Sequence, residues 1–462
     1  MPLHPPKVVL INPYELGRQP FALAHPKALL ENAGFAVVCI DLSLQKLEAH
    51  LLTEAMLVAV YLGMHTATRI AVAILPRLRE LAPQAHLCVY GLYAPINQAL
   101  FQNLGVKSVL GGEFEPDLLE LAIALKTQPD FTKVSVNLGK IHFTQPDRSG
   151  LPPLSRYAHL LSHDRTKIVT GFVEASRGCK HLCRHCPVVP VYQGKFRIIP
   201  MDVVLKDIAA QIEEGAGHIS FGDPDFFNGP GHSMKIVRFM HERYPSISYD
   251  ATIKIQHILQ YAHLLPVLKE TGCLFITSAV ESIDDKVLQY FDKKHTAADF
   301  TRAVQLLRHH DVALAPTFVP FTPWTTLPGY IALLQHIYDL ELIENVPAIQ
   351  FAIRLLVPRG SYLLSLAGFD QLIGAYDAVN LGYTWQHTDP RVDELQQKVQ
   401  HLAASATDDD RFEVFVEIWR LAHHALGVSA PPLLRRDSAF IPHLSEPWYC
   451  CAEPTDQQLQ TF

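Results

Sequence analysis

The sequence predicts an α/β protein built as a doubly wound parallel sheet, a second run of βα units forming an open or closed barrel, and a helical C-terminal region. Three observations carry this. Apolar, β-rich runs alternate with helical patterns over residues 7–126 and again over 168–356. The runs are nearly continuous rather than strictly alternating, so both sheet faces are covered and the strands run parallel, joined by helical crossovers. A chain of 462 residues with 48% apolar and 18% charged side chains exceeds one domain and excludes disorder or a small stapled scaffold.

In the first unit, residues 7–12, 36–42, 56–62, 86–93 and 106–110 read as strands, with helices near 26–32, 66–81, 95–104 and 115–126. Ligands of such sheets bind at the carboxyl ends of the strands. Those ends carry Pro13, Tyr14, Gly63, Met64, His65, Gly91, Gly111, Gly112 and Glu113, although the glycines serve equally well as turns. Residues 127–157 are polar and rich in Pro and Gly, with one expected hairpin near 134–143. Strands then follow near 168–174, 219–221, 248–253, 274–280, 314–319 and 349–356, and helices near 201–214, 232–243, 258–270, 296–309 and 329–339. Six βα units place the chemistry on the loops after the strands. From Asp370 the pattern turns helical, clearest over 391–405 and 410–426, and it closes in a Pro-containing tail. The expected organisation is an α/β domain over 1–130, a linker over 131–160, the barrel over 161–369 and the helical region with its tail over 370–462.

The formal charge is 39 − 46 = −7 with no basic block, which disfavours a duplex nucleic acid or an anionic lipid surface as partner and favours a small molecule. No apolar stretch reaches the ~20 residues of a membrane span. Eight cysteines are too few and too unevenly placed for a disulfide framework, and Met1 to Leu10 lack a signal-peptide pattern, so a cytoplasmic, reducing location is expected.

Directly after the first barrel strand stands Ser-Arg-Gly-Cys179-Lys-His-Leu-Cys183-Arg-His-Cys186-Pro. Soft thiolates select zinc, copper(I) or iron–sulfur clusters. Three on one loop can hold three irons of a [4Fe–4S] cube and leave the fourth open to an external amine and carboxylate. A zinc site completed by His181 or His185 has suitable ligand types, but zinc knuckles pair their cysteines with a second pair farther along, which is absent here.

This C-x3-C-x2-C loop resembles the signature of the radical S-adenosylmethionine (SAM) superfamily. The resemblance implies a partial (βα)6 barrel, a [4Fe–4S] cluster on Cys179, Cys183 and Cys186, and SAM on the open iron, where one electron from a donor such as flavodoxin or ferredoxin cleaves a carbon–sulfur bond. His185 stands where the superfamily usually has an aromatic residue near the adenine. Asp223 and Asp225 fall where it contacts the SAM amino group, or alternatively cap a helix or shape the turn. Glu281 ends the fourth strand, where a carboxylate can accept the ribose hydroxyls. Arg354 in an apolar run needs an anion, either the SAM carboxylate or a structural Glu. The first domain resembles the cobalamin-binding-like domain of one branch of the superfamily. The first helix begins Ala24-His25-Pro26 without the Asp-x-His-x-x-Gly loop that ligates cobalt, so cobalamin is allowed but not indicated.

The tail carries Trp448-Tyr449-Cys450-Cys451-Ala452-Glu453-Pro454. Two incidental thiols on a frayed terminus, or a strained vicinal disulfide, are the bland readings. The sharper one is a pair of soft ligands folded over the barrel mouth, docked by Trp448 and Tyr449. The whole chain resembles the CUAEP/CCAEP-tail radical SAM proteins. These are similar to the radical SAM enzyme of arsinothricin biosynthesis, which transfers the 3-amino-3-carboxypropyl group of SAM to trivalent arsenic. The resemblance implies a transferase in which Cys450 and Cys451 hold arsenite. The competing expectations are a cobalamin-dependent radical methyltransferase or a hydrogen-abstracting enzyme on a small metabolite, and a non-catalytic zinc-stabilised binding protein. Modification of transfer RNA is disfavoured by the acidic balance and the lack of an evident RNA-binding module.

Overall fold

The computed structural model describes residues 5–162, 164–405, 411–436, 441–446, 451–455 and 458–459. Its first sheet has six parallel strands: β1 (Lys7–Asn12), β2 (Ala36–Asp41), β3 (Ala55–Tyr61), β4 (His86–Tyr90), β5 (Ser108–Gly112) and β6 (Val134–Asn137), in the order β2-β1-β3-β4-β5-β6. Alternate residues feed two cores. Val9, Ile11, Val58, Val60, Val89 and Val109 pack on the helix His65–Leu81, whereas Val8, Leu10, Leu57, Ala59 and Leu110 pack on the helices Phe21–Asn32 and Glu115–Leu125. Each such Val, Leu or Ile side chain contributes roughly 1.5–3 kcal/mol by leaving water. That is why the strands read as unbroken apolar runs.

The expected hairpin near 134–143 is corrected. Its first half is β6, the edge strand, paired parallel to β5 through Val109–Val134 and Gly112–Asn137. Val134 and Val136 are exposed, as an edge allows. Gly112, at φ +67°, is required by this close approach, since a Cβ there would collide with the Asn137 carbonyl.

The second sheet starts with β7 (His159–Leu161), antiparallel to β8 (Lys167–Val173). A short ribbon follows, β9 (Ser176–Gly178) with β10 (Phe196–Ile198), and then the parallel strands β11 (His218–Phe221), β12 (Ser248–Thr252), β13 (Cys273–Glu281) and β14 (Ala313–Phe318). Apart from the ribbon, these strands, in the order β14-β13-β12-β11-β8-β7 with the two-residue strand His443–Leu444 antiparallel to β7 at the edge, make a curled, open half-barrel. The expected sixth strand over 349–356 is also corrected. Residues Ala348–Phe351 form a 3-10 turn, and one bridge, Phe321 to Arg354, continues the sheet. The Gln350 side chain accepts from the Phe318 N–H and Gln396 donates to the Ala352 carbonyl, so side chains satisfy groups that a strand would have paired. The run is apolar because the helices Pro390–Ser405 and Arg411–Leu426 cover it, with Phe415 edge-on to Phe351. Residues 370–389, expected to be helical, are mostly irregular, with the two-residue strands Tyr376–Asp377 and Gly382–Tyr383. Among the described residues no helix is long and apolar enough to cross a membrane.

Candidate active site

The cysteine loop leaves β9 through Gly178, whose φ is +69° and where a Cβ would lie 2.5 Å from the Lys195 carbonyl oxygen. Glycine is therefore required one residue before Cys179. The base of the loop is pinned from two sides. Asp223 accepts from the Ala175 N–H at 2.9 Å and from the Ser176 hydroxyl. Arg177, buried among Phe21, Phe114 and Phe143, reaches Glu115 and Glu174 at 2.6 Å each and Glu113 at 3.6 Å. Three carboxylates around one guanidinium exceed its charge. Arg177 and His25 hold Glu115 down to about 2 against its burial, whereas burial pushes Glu113 up to about 7. Glu113 and Glu115 follow β5, so the first domain forms part of the footing of the cysteine loop.

Cys183 is buried, and Lys254, at the end of β12, donates to its Sγ at 3.4 Å. Burial opposes the charge of Lys293, but Glu281, Cys183 and Cys186 more than offset this and raise its pKa. Burial pushes the Cys186 thiol up to about 12 and also raises Cys179. Such thiols ionise when a metal centre takes the place of the proton. Three soft donors on one loop, two of them reluctant to ionise alone and backed by two ammonium groups, fit an iron–sulfur cluster.

Glu281 sits beside this loop, at φ +70° where the register of β13 against β14 shifts. It accepts from Lys293 at 3.2 Å and lies 3.0 Å from His185 Nε2. Burial would raise its carboxyl, but Lys293 and His185 bring it down to about 2. His185 stacks on Phe291, with ring centroids 4.3 Å apart, so imidazole and phenyl pack face to face beside the loop.

Asp223 and Asp225, both expected at the SAM amino group, are held differently. Asp223 is committed to the loop base, and burial pushes it up to about 7. Asp225 contacts two imidazoles, His257 Nδ1 at 2.7 Å and His181 Nε2 at 3.3 Å, which bring it down to about 2 against its complete burial. The guanidinium of Arg354 binds Asp393 at 2.6 Å and the Trp385 carbonyl at 2.7 Å and lies 3.5 Å from the Trp385 ring centre. The anion it meets here is Asp393, on the helix Pro390–Ser405, where the sequence leaves a structural Glu or the SAM carboxylate as the alternatives.

Cys450, with Trp448 and Tyr449, lies outside the described residues. Cys451 is partly buried, and the residues after it are anchored on the first domain. The Ala452 carbonyl accepts from Thr66 Oγ1 at 2.7 Å, and Glu453 meets His65 at 2.8 Å and Arg69 at 3.2 Å. Upstream, Glu446 accepts from the Tyr14 hydroxyl at 2.9 Å. Tyr14 follows β1 and His65 follows β3, on either side of the point where the strand order reverses, the usual ligand crevice of a doubly wound sheet. The described residues Glu446, Ala452 and Glu453 lie against that crevice.

The three cysteines were legible because one loop carries them. Lys254, Lys293, Arg177 and the His181–Asp225–His257 group were not singled out, although a lysine in the apolar run Ala251-Thr-Ile-Lys-Ile was an available signal.

Comparison with known proteins agrees with this geometry. Residues 173–322 match the family model of the radical SAM superfamily, so the chain carries a radical SAM domain, the kind that works with a [4Fe–4S] cluster and SAM. Behind it stands a doubly wound domain. The fold is shared with OxsB, a cobalamin-dependent SAM radical enzyme solved with aqua-cobalamin, at a TM-score of 0.66 and 13% identity, covering 91% of this chain and 72% of that one. It is shared also with TsrM from Kitasatospora setae, a radical SAM methyltransferase solved with cobalamin and a [4Fe–4S] cluster, at 0.58 and 18%, covering 73% of each chain. In sequence, 192 residues are 27% identical to the tRNA-2-methylthio-N(6)-dimethylallyladenosine synthase of Vibrio parahaemolyticus. That match covers 39% of this chain and 40% of the synthase, so the chain spans about two fifths of the length of such curated relatives.

Proposed function

We propose that this protein is a radical SAM transferase that moves the 3-amino-3-carboxypropyl group of SAM to a soft acceptor, trivalent arsenic, held by Cys450 and Cys451. The observation that carries the reading is the anchored tail: Thr66, His65 and Arg69 fix Ala452 and Glu453 beside the strand ends of the first domain. An incidental terminus needs no such contacts, whereas a thiol pair that presents a substrate does. The [4Fe–4S] cluster, when bound, supplies one electron from a flavodoxin- or ferredoxin-like donor to open a C–S bond of SAM.

The chain's own residues would do the rest. Cys179, Cys183 and Cys186 hold the cluster, with Lys254 and Lys293 balancing their charge. Glu281, kept ionised, accepts the ribose hydroxyls, and His185 on Phe291 offers a flat face to the adenine. Asp223 and Asp225 shape the turn whose backbone oxygens meet the SAM ammonium. The overall reaction balances: one C–S bond breaks, one As–C bond forms, and arsenic passes from +3 to +5. 5′-methylthioadenosine and one proton leave, and the electron spent on cleavage is returned.

A second reading, a cobalamin-dependent radical methyltransferase or a hydrogen-abstracting enzyme acting on a small metabolite, is favoured by the likeness to OxsB and TsrM. Anaerobic incubation with SAM, reductant and arsenite separates the two. The arsenic reading expects 5′-methylthioadenosine and an aminocarboxypropyl arsenical, both lost when Cys450 and Cys451 are changed to Ser. Retained cobalamin with its visible spectrum, and only 5′-deoxyadenosine or methyl transfer indifferent to arsenite, would replace it with the second.

A further inference from the structure

Beside the cysteine loop, three ligating side chains converge from three different strand ends. His181 lies within the loop itself, Asp225 follows β11, and His257 is in the helix Ile255–Gln260 that follows β12. Asp225 is wholly buried and His257 nearly so, while the His181 side chain is 15% exposed. Their nearest ligand atoms, His181 Nε2, Asp225 Oδ2 and His257 Nδ1, all lie within 4.8 Å of one another.

The contacts look like ion pairs, yet none of these three atoms makes a hydrogen bond of acceptable direction. Burying polar atoms without directed partners is costly. A cation between them removes the cost. Two imidazoles and a carboxylate 2.0–2.1 Å from a tetrahedral ion stand about 3.3 Å apart. His181 and Asp225 are at that separation, 3.3 Å, and His257 is closer at 2.7 Å, a gap that a small turn of its ring opens. The other carboxylate oxygen, Oδ1, accepts from the Phe227 N–H at 3.2 Å, which aims Oδ2 at the two rings. The rings themselves are 4.7 Å apart and tilted by 58°, so their lone pairs can converge rather than stack.

We propose that His181, Asp225 and His257 form a mononuclear binding site for a divalent cation of the iron-to-zinc range, separate from the three-cysteine site and drawing no ligand from it. Two imidazoles and one carboxylate are a donor set for zinc or ferrous iron rather than for calcium or magnesium, and three protein ligands leave at least one position open. The site joins the loop that carries the cysteines to the second and third barrel strands, so its occupancy would tie the loop to both.

The test uses zinc(II) on the anaerobic, cluster-loaded full chain. After one equivalent of zinc and desalting, metal analysis should find about one zinc per chain with the cluster iron undiminished, and anomalous scattering across the zinc edge should locate it between the three residues. Asp225→Asn and His181→Gln should each weaken zinc retention by ~10-fold or more while keeping the iron. The second variant, at the more exposed position, covers the case in which the first does not fold. Cys450→Ser with Cys451→Ser should retain the zinc, which excludes the tail as its holder. No retained zinc, zinc gained only at the expense of iron, or equal retention in both ligand variants would overturn the proposal.

Discussion

At the scale of single residues, the environment of each group decides what it can do. Gly178 holds a left-handed conformation where any side chain meets the Lys195 carbonyl. Gly178→Ala should therefore displace Cys179 and lower iron incorporation several-fold, with a folding cost of about 1–3 kcal/mol; full iron content in the variant would contradict this. Glu113 offers a sharper test. Burial pushes its carboxyl from an ordinary 4.5 up to about 7, so the folded protein holds that proton more tightly than the unfolded chain does. The resulting penalty is absent below pH 4.5, grows between 4.5 and 7, and is complete above 7. Glu113→Gln should thus be more stable than the parent at pH 8, by roughly 1–3 kcal/mol, and equal to it at pH 4. Denaturant unfolding at the two pH values measures this, and a Gln variant weaker at pH 8 would show that Arg177 needs that charge.

At the scale of elements, the sequence carried the parallel strands and most crossover helices, because burial on both faces leaves unbroken apolar runs. The same signal misled over 349–356, where covering helices rather than strand neighbours account for the apolar residues. β6 was missed as a sheet member because it lies at the exposed sheet edge, where Val134 and Val136 alternate with Ser135 and Asn137 and leave no continuous apolar run. Within the site, the cysteines share one loop and were readable. The partners of Arg354 and Asp225 were not, since Asp393 stands 39 residues beyond Arg354 and pairing at that distance leaves no local pattern. Arg354→Met should accordingly lower stability by about 1 kcal/mol, through the lost Trp385 and Asp393 contacts, without changing SAM affinity. A large rise in the SAM dissociation constant by calorimetry would return Arg354 to the nucleotide site. The tail makes the complementary case. Thr66→Val together with Glu453→Gln removes its direct anchors, and arsenite-dependent turnover should fall at least ~10-fold while arsenite-independent SAM cleavage persists.

At the scale of the molecule, the two α/β units meet around the cysteine loop. Arg177 ties that loop to Glu113 and Glu115 of the first sheet, and Arg148 ties the connecting segment to Asp207 of the half-barrel through two contacts of 2.8 Å. Ala452 and Glu453 likewise meet Thr66 and His65 at the strand ends of the first sheet, while His443–Leu444 upstream pairs with β7 of the second. The proposed function would have the first domain present the tail as well as frame the cysteine loop.

The most direct measurement follows the carbon of SAM. Anaerobic turnover with arsenite and SAM carrying one isotope in the methyl group and another in the aminocarboxypropyl group shows which carbon reaches arsenic. The account predicts that the aminocarboxypropyl label alone is found on arsenic and that the methyl label leaves in 5′-methylthioadenosine. Methyl label on the product, or an arsenical yield unchanged when both tail cysteines are replaced by serine, would contradict it.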